Sequence, residues 1–168
     1  GESGAGKTVL ALTILRLLST PPAVIRSGSI NFNGENLLQK TEKEMRRIRG
    51  RKISMIFQDP MSTLNPVFTV GEQIVRVFMN NKKLSRKEAA KEALSMIDMV
   101  KLPDAGNIMG KYPHELSGGQ RQRIVIAIAL SCGAEFLIAD EPTRNLDVTI
   151  QAGILKLVAE LQRELGVT

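Results

Sequence analysis

The chain has 168 residues, of which 43% are hydrophobic, so it is long enough to form one domain with a buried core. One cysteine excludes an internal disulfide framework, and with a single histidine there are too few soft ligands for a structural zinc site. The net charge of +6 is compatible with a nucleic-acid partner, but the basic stretch from Lys43 to Lys52 has no interleaved aromatic residues, which favours a solvated helix face.

The chain opens on a glycine-rich octet, Gly1 to Thr8, that fits the pattern GxxxxGK[ST]. Glycines let successive backbone N–H groups turn inward around a phosphate chain, and the helix predicted from Lys7 to Leu18 adds the positive end of its dipole. Lys7 supplies a charge for the β- and γ-phosphates, and the Thr8 hydroxyl is a ligand for Mg²⁺. A chance glycine turn is the alternative. The residues assigned to phosphate binding are Gly1, Ser3, Gly4, Ala5, Gly6, Lys7 and Thr8.

Three short elements are predicted next. The stretch from Ser29 to Phe32 alternates polar and apolar residues before an Asn33-Gly34 turn, which indicates a short antiparallel strand. A helix is predicted from Glu42 to Arg49, with Thr41 and Glu44 as its capping box. An apolar run from Lys52 to Phe57 predicts a buried strand that ends in a functional loop at Gln58.

The middle of the chain is predicted to be helical. The segment from Val70 to Met79 is weakly helical, and that from Ser85 to Val100 is strongly so, with a capping box of Ser85 and Glu88. The most apolar stretch, Ile124 to Ala139, is interrupted by polar residues and falls short of the roughly 20 residues that span a bilayer.

A second glycine-containing motif, LSGGQ at Leu116 to Gln120, lies immediately before a helix predicted from Gly118 to Ser131. A serine hydroxyl and glycine N–H groups at a helix N-terminus form an anion-binding site. The residues assigned to this second site are Ser117, Gly118, Gly119 and Gln120.

Two adjacent carboxylates follow a buried strand predicted from Phe136 to Asp140. Asp140 is placed to hold Mg²⁺, directly or through water, and Glu141 to polarise the attacking water. The alternative is that the two acids only cap the loop at Pro142. A long amphipathic helix from Val148 to Leu165 completes the predicted elements.

Together these motifs, in this order, resemble the ATP-binding-cassette (ABC) ATPases, whose signature sequence is LSGGQ. The resemblance implies an α/β P-loop NTPase with a mainly parallel sheet and an ABC-type helical subdomain, truncated at both ends. The expected catalytic core covers residues 1–68 and 132–168, and the helical subdomain, with the signature, covers about 69–131.

The same resemblance implies that ATP lies between two cassettes, so that the signature of one chain contacts the γ-phosphate held by Lys7 of the other. Gln58 matches the family's Q-loop glutamine, which reaches Mg²⁺ and the attacking water. The resemblance therefore implies Glu141 and Gln58 as catalytic residues and Thr8, Gln58 and Asp140 as metal ligands, with ATP and Mg²⁺ as cofactors.

Two departures from the family pattern stand out. The single histidine, His114, lies two residues before the signature, so it is not the family's switch histidine; that residue and the adenine-stacking aromatic are expected outside residues 1–168. In the D-loop, where the family usually has two small residues before Leu-Asp, this chain has Arg144-Asn145, a long cation at an expected dimer contact.

The segments from Ile53 to Met61 and from Leu146 to Gln151 resemble the ATP-binding subunits of bacterial dipeptide and oligopeptide importers. That resemblance implies import of peptides, or of related solutes such as nickel, with the chain on the cytoplasmic face of the inner membrane. The implied partners are a second ATPase subunit, membrane permease subunits and, indirectly, an extracytoplasmic solute-binding protein. One alternative is a non-transport ABC ATPase acting on DNA, but this chain has no space for a coiled-coil arm between Lys7 and Leu116. The other is a regulatory module that binds ATP without hydrolysing it.

Overall fold

Helices predominate in the computed structural model, which describes residues 5–168. The helices are α1 (Lys7–Ile14), α2 (Glu42–Ile48), α3 (Pro60–Thr63), α4 (Val70–Lys82), α5 (Arg86–Met99), α6 (Ala105–Gly110), α7 (Gly118–Leu130) and α8 (Val148–Leu165). The strands are β1 (Asn31–Phe32), β2 (Glu35–Asn36), β3 (Ile53–Ile56) and β4 (Phe136–Ala139). Within the same residues, no helix combines the length and the apolar character needed to cross a membrane.

Helix α1 is shorter than the apolar spacing predicts, and the extension to Leu18 is wrong. The backbone of Arg16 adopts the left-handed conformation, with φ of 51°, and its N–H donates to the carbonyl of Thr13. The guanidinium of Arg16 also donates to the Leu37 and Lys40 carbonyls, which hold the chain in a turn. Tertiary contacts therefore end the helix at Ile14, about one turn before the predicted end at Leu18.

The antiparallel hairpin is confirmed. Strands β1 and β2 pair with Asn31 opposite Asn36 and Phe32 opposite Glu35. Both turn residues, Asn33 and Gly34, have positive φ, which matches the backbone twist of the flanking strands.

Strands β3 and β4 form a parallel pair, in register from Ile53 opposite Phe136 to Ile56 opposite Ala139. All four side chains of β3 are buried, as predicted. Those of β4 are only half-buried, and Ala139 is exposed, so the prediction of a buried strand is wrong there. The reason is that open space lies against both faces of β4: a cavity of about 310 Å³ beside Phe136 and Ile138, and one of about 190 Å³ beside Leu137.

The two faces of β3 contribute to different hydrophobic clusters, because successive side chains of a strand point to opposite sides. Ile56 joins the larger cluster, which contains buried residues of α4 to α8. Ile53 and Met55 join the smaller one, with side chains from α1 and α2. Buried residues of α8, which belongs to the predicted catalytic core, share the larger cluster with those of α4 and α5, which belong to the predicted helical subdomain. The packing does not separate the two units, so the boundary between them stays a prediction.

Local capping signals are confirmed where the sequence predicts them. The Thr41 and Ser85 side chains accept hydrogen bonds from the N–H groups of Glu44 and Glu88, and both glutamates bond back to the cap. These bonds satisfy backbone donors that helix starts leave unpaired, so they define where α2 and α5 begin.

Candidate functional site

The end of the glycine-rich octet leads directly into α1. Gly6 is the N-cap, with φ of 79°, a backbone conformation that glycine adopts without the steric cost of a Cβ. Lys7 and Thr8 therefore form the first turn of the helix, and Ala5 precedes it as an exposed residue. Gly1, Ser3 and Gly4 lie outside the described residues.

The parallel register of β3 and β4 brings Gln58 and Glu141 together. Each side chain lies two residues beyond the last paired position, at which Ile56 is opposite Ala139. The Gln58 Nε2 donates to Glu141 Oε2 at 3.1 Å. Residues 83 positions apart in sequence thus meet at the carboxyl end of the strand pair.

Thr8 and Asp140 form a second contact at this edge. The Thr8 hydroxyl donates to Asp140 Oδ2 at 2.5 Å, and the Asp140 N–H donates to the Ile56 carbonyl at 3.0 Å. Asp140 is 6% exposed, so its carboxylate is held rigidly behind α1. A hydroxyl and a carboxylate are the hard oxygen ligands that Mg²⁺ prefers, and their adjacency fits the predicted metal site.

Three donors surround the Glu141 carboxylate. The Lys7 Nζ lies 3.3 Å from Oε1, and the Arg144 guanidinium donates to Oε2 at 3.0 Å, beside the bond from Gln58. The backbone of Glu141 is left-handed, with φ of 47°, a conformation that costs a non-glycine residue about 1 to 2 kcal/mol.

A cavity of about 240 Å³ lies among these side chains. A larger cavity, of about 420 Å³, lies under the loop that follows α1, but it contains none of the predicted site residues. We assign the site to the smaller cavity because the charged and polar groups converge there. Its lining residues are Gly6, Lys7, Thr8, Val9, Gln58, Glu141 and Arg144.

The signature residues lie elsewhere, and none belongs to the described lining of that cavity. Ser117 caps α7, accepting from the Gln120 N–H at 3.3 Å, while Gln120 Oε1 accepts from the Ser117 N–H at 2.9 Å. This box uses the N–H groups of both residues, so the donors left for an anion are those of the intervening glycines.

The signature glycines pack against the segment that leads into α8. A Cβ at Gly119 would lie 2.9 Å from Ile150 Cγ2, and one at Gly118 would lie 3.3 Å from Leu146 Cδ2. A Cβ at Gly119 would force Ile150 to shift, so glycine permits the close packing at this position.

His114 is exposed in a single 3-10 turn, with its ring stacked on Tyr112 at 5.7 Å between centroids. His114 is not among the described residues that line the 240 Å³ cavity, and that it is not the switch histidine stays a prediction.

The contact between Arg144 and Glu141 is absent from the site that the sequence predicts. Arg144 stands out in the sequence only as a departure from the D-loop pattern. The sequence feature that could have indicated the contact is the spacing of three residues between Glu141 and Arg144. That spacing brings an acidic and a basic side chain together only if the chain turns between them.

Comparison with known proteins supports this set of motifs. A family model described as "ABC transporter" matches residues 1–144. The dipeptide transport ATP-binding protein DppD of Bacillus subtilis is 53% identical over 168 residues, which are all of this chain and 50% of that protein. The oligopeptide transport ATP-binding protein OppD of Salmonella typhimurium is 51% identical, over 98% of this chain and 48% of its own length. The chain thus spans about half the length of these relatives.

Solved structures agree with the fold. The ATP-binding cassette MJ0796, as a dimer in a post-hydrolysis state bound to ADP and Pi, matches with a TM-score of 0.80 and 29% identity, over 98% of this chain and 68% of that one. The protein cbiO1 from Clostridium perfringens, part of the ABC transporter complex cbiONQ, matches with a TM-score of 0.82 and 30% identity, over 100% of this chain and 62% of that one.

Proposed function

Because the chain belongs to the ABC transporter ATP-binding family, we propose that it binds ATP with Mg²⁺ and hydrolyses it to power import of di- or oligopeptides across a bacterial inner membrane. The observation that carries the proposal is the 240 Å³ cavity, where Lys7 and Gln58 contact Glu141 and Thr8 belongs to the same lining.

Nucleotide binding rests on the N-terminal end of α1. The β- and γ-phosphates accept hydrogen bonds from backbone N–H groups of the glycine-rich loop, where the helix dipole favours negative charge. The ammonium of Lys7 moves from Glu141 to the phosphates, because a phosphate chain carries more negative charge than one carboxylate.

Thr8, Asp140 and Gln58 are the proposed metal ligands, through a hydroxyl, a carboxylate and an amide oxygen. Bound Mg²⁺ would neutralise charge on the phosphate oxygens. Asp140 is held for this purpose by its N–H bond to the Ile56 carbonyl, which ties the ligand to the sheet.

Hydrolysis places Glu141 beside the attacking water. Once Lys7 has moved to the phosphates, Glu141 Oε1 is available to accept a hydrogen bond from that water. The water oxygen then bonds to the γ-phosphorus as the bond to the β–γ bridging oxygen breaks, giving ADP and inorganic phosphate. Glu141 orients the water and takes up its proton.

The active assembly is proposed to be a dimer, because the signature residues lie outside the cavity that holds Lys7 and Glu141. A second chain would contribute Ser117, Gly118, Gly119 and Gln120 to the γ-phosphate. The dimeric solved state of MJ0796 supports this arrangement.

Peptides are the proposed cargo, because relatives about 50% identical are described as dipeptide, oligopeptide and glutathione import ATP-binding proteins. Membrane permease subunits and an extracytoplasmic solute-binding protein would complete the system, with this chain on the cytoplasmic face. Loss of the gene should abolish labelled peptide uptake, and uptake unchanged by that loss would refute the cargo.

The test of the chemistry is a pair of substitutions in the purified full-length protein, because the chain spans about half the length of its relatives. Glu141→Gln should reduce ATP hydrolysis by about 100-fold or more while ATP binding persists, because the amide no longer accepts the proton. Lys7→Ala should abolish ATP binding itself. Binding is read from fluorescent-nucleotide titration and turnover from phosphate release.

The matched control is Glu164→Gln, the same chemical change at an exposed position in the last turn of α8. It should leave both measurements unchanged. Undiminished turnover in Glu141→Gln would remove Glu141 from the proposed role.

A further inference from the structure

Three side chains contact the Glu141 carboxylate in the described site, and they differ in whether bound ATP would draw them away from it. Lys7 contacts Oε1, whereas Gln58 and Arg144 both donate to Oε2, at 3.1 and 3.0 Å. If the proposed function is right, bound nucleotide and metal recruit Lys7 and Gln58. Arg144 is then the partner that remains for the carboxylate.

The backbone holds Arg144 where this contact can persist. The Arg144 N–H donates to the Glu141 carbonyl at 3.0 Å, so the chain turns tightly between the two residues. The next residue, Asn145, has φ of 63°, a left-handed conformation that asparagine tolerates better than most residues. Arg144 and Glu141 thus lie at opposite ends of one turn.

The other end of this loop is anchored as well. Asp147 caps α8 by accepting the Ile150 N–H at 3.0 Å, and Leu146 lies against Gly118. The loop is therefore fixed on both sides of Arg144. Side-chain exposure is 47% for Arg144 and 30% for Glu141, so the pair lies at the edge of the cavity and is partly shielded from water.

We propose that Arg144 is a positioning residue for Glu141. Its guanidinium holds Oε2 and so keeps Oε1 directed toward the attacking water after Lys7 has moved to the phosphates. It acts through the carboxylate and not on the nucleotide, so it affects turnover and leaves ATP binding unchanged.

The first measurement is steady-state ATP hydrolysis by Arg144→Ala and Arg144→Lys over a range of ATP concentrations. For Arg144→Ala, kcat should fall by about tenfold with KM within about twofold of wild type, since a misplaced catalytic group lowers turnover without weakening ground-state binding. Arg144→Lys should recover part of the loss, because an ammonium keeps the charge and one of the donors.

The second measurement repeats Arg144→Ala in the Glu141→Gln background, under single-turnover conditions. If Arg144 acts through the carboxylate, the second substitution should change the residual rate by less than about twofold. ATP-dependent dimerisation of the double variant should equal that of Glu141→Gln. A purely structural role for Arg144 would slow the rate or weaken the dimer in this background too.

The control is Arg46→Ala, which removes an arginine paired with Glu42 on the exposed face of α2. Arg46→Ala should match wild type, and thermal unfolding of every variant checks the fold. Unchanged or faster turnover in Arg144→Ala, or loss of ATP-dependent dimerisation in the double variant, would overturn the inference while leaving ATP hydrolysis intact. Absence of hydrolysis in the wild type would instead overturn the proposed function, and the inference with it.

Discussion

Thr8 and Asp140 touch although 132 positions separate them in the sequence. Their contact links the first turn of α1 to the end of β4, so one hydroxyl ties the glycine-rich loop to the sheet. The same two oxygens are the proposed metal ligands. One pair of side chains therefore combines a structural contact with a proposed role in metal binding.

We predict that Thr8→Val lowers ATP hydrolysis by about tenfold or more and raises the Mg²⁺ concentration needed for half-maximal activity, because a methyl replaces a metal ligand. Thr8→Ser should retain most of the activity. The measurement is phosphate release as a function of Mg²⁺ concentration.

Thr13→Val is the matched control, since Thr13 lies in the same helix and its hydroxyl donates to the Val9 carbonyl and not to a proposed metal ligand within residues 5–168. It should leave the Mg²⁺ dependence unchanged. An identical Mg²⁺ dependence in Thr8→Val and wild type would show that Thr8 is not a ligand.

At the scale of single residues, the sequence predicts those candidate site residues that belong to a local motif. Lys7 and Thr8 follow from the octet, and Asp140 and Glu141 follow from acids at the end of an apolar strand. The Arg144 contact does not follow, because an ion pair across a turn depends on the φ of Glu141, and residue type alone does not report that angle.

At the scale of elements, α7 and α8 meet through glycine. Gly119 is buried, and the space that a Cβ would need is already occupied by the Ile150 side chain. Because Ile150 lies in the first turn of α8, the packing joins the signature turn to the helix that follows the Glu141 loop. A displacement of the first turn of α7 would therefore also displace the first turn of α8, and the reverse.

We predict that Gly119→Ala destabilises the protein by about 1 to 3 kcal/mol, the usual cost of overpacking. The contact would be with Ile150 Cγ2, so Ile150→Ala in the same chain should recover part of the loss by removing that methyl. The measurement is urea unfolding of both single variants and the double variant. Additive losses in the double variant would show that the two residues do not compete for this space.

The sequence predicts where a helix or strand begins or ends when the residues that set that boundary lie within a few positions of it. Capping boxes predict the starts of α2 and α5, and the Asn33-Gly34 turn predicts the hairpin. The end of α1 is wrongly predicted because carbonyls of a later segment bind Arg16. The partial exposure of β4 is likewise a property of its neighbours, which residue patterns within the strand do not specify.

At the scale of the whole molecule, carboxylate partners recur across the described surface. The Arg76 and Arg86 guanidinium groups hold the pKa of Glu72 below its ordinary value of 4.5, and they join α4 to the start of α5. Hydrogen-bonded or cationic partners lower the pKa of five further glutamates in the same direction: Glu35 beside Lys40, Glu42 beside Arg49, Glu44 beside Thr41, Glu88 beside Ser85 and Glu160 beside Lys101.

These lowered pKa values predict acid sensitivity. A carboxylate with a lowered pKa in the folded state contributes stability above its unfolded pKa, near 4.5, and loses that contribution as the pH falls through the folded value. The urea midpoint should therefore fall as the pH drops below about 4.5. Glu72→Gln should reduce the stability difference between neutral and acid pH by about 0.5 to 1 kcal/mol.

Glu92→Gln is the control for that experiment, because Glu92 is exposed on α5 and forms no ion pair within residues 5–168. It should leave the pH dependence unchanged. A rise of the midpoint below pH 4.5 would contradict the expected direction of these pKa shifts.

The order of the sequence motifs predicted the fold class, whereas the distances between elements could not be predicted from it. That order implied the family, which the comparisons confirm, and a parallel arrangement, which the pairing of β3 with β4 confirms. The distance from Gln58 to Glu141 required the register of β3 and β4, which is set by long-range packing. The two hydrophobic clusters on opposite faces of β3 likewise emerge only in three dimensions.

The register of β3 and β4 also fixes the distance between Gln58 and Glu141. Because Gln58 and Glu141 are each two residues past the pair formed by Ile56 and Ala139, their separation is measured across the sheet and not along the chain. A surface loop such as the one between α4 and α5 can then gain or lose residues without moving either side chain. Changes in that loop are therefore not expected to alter the distance between Gln58 and Glu141.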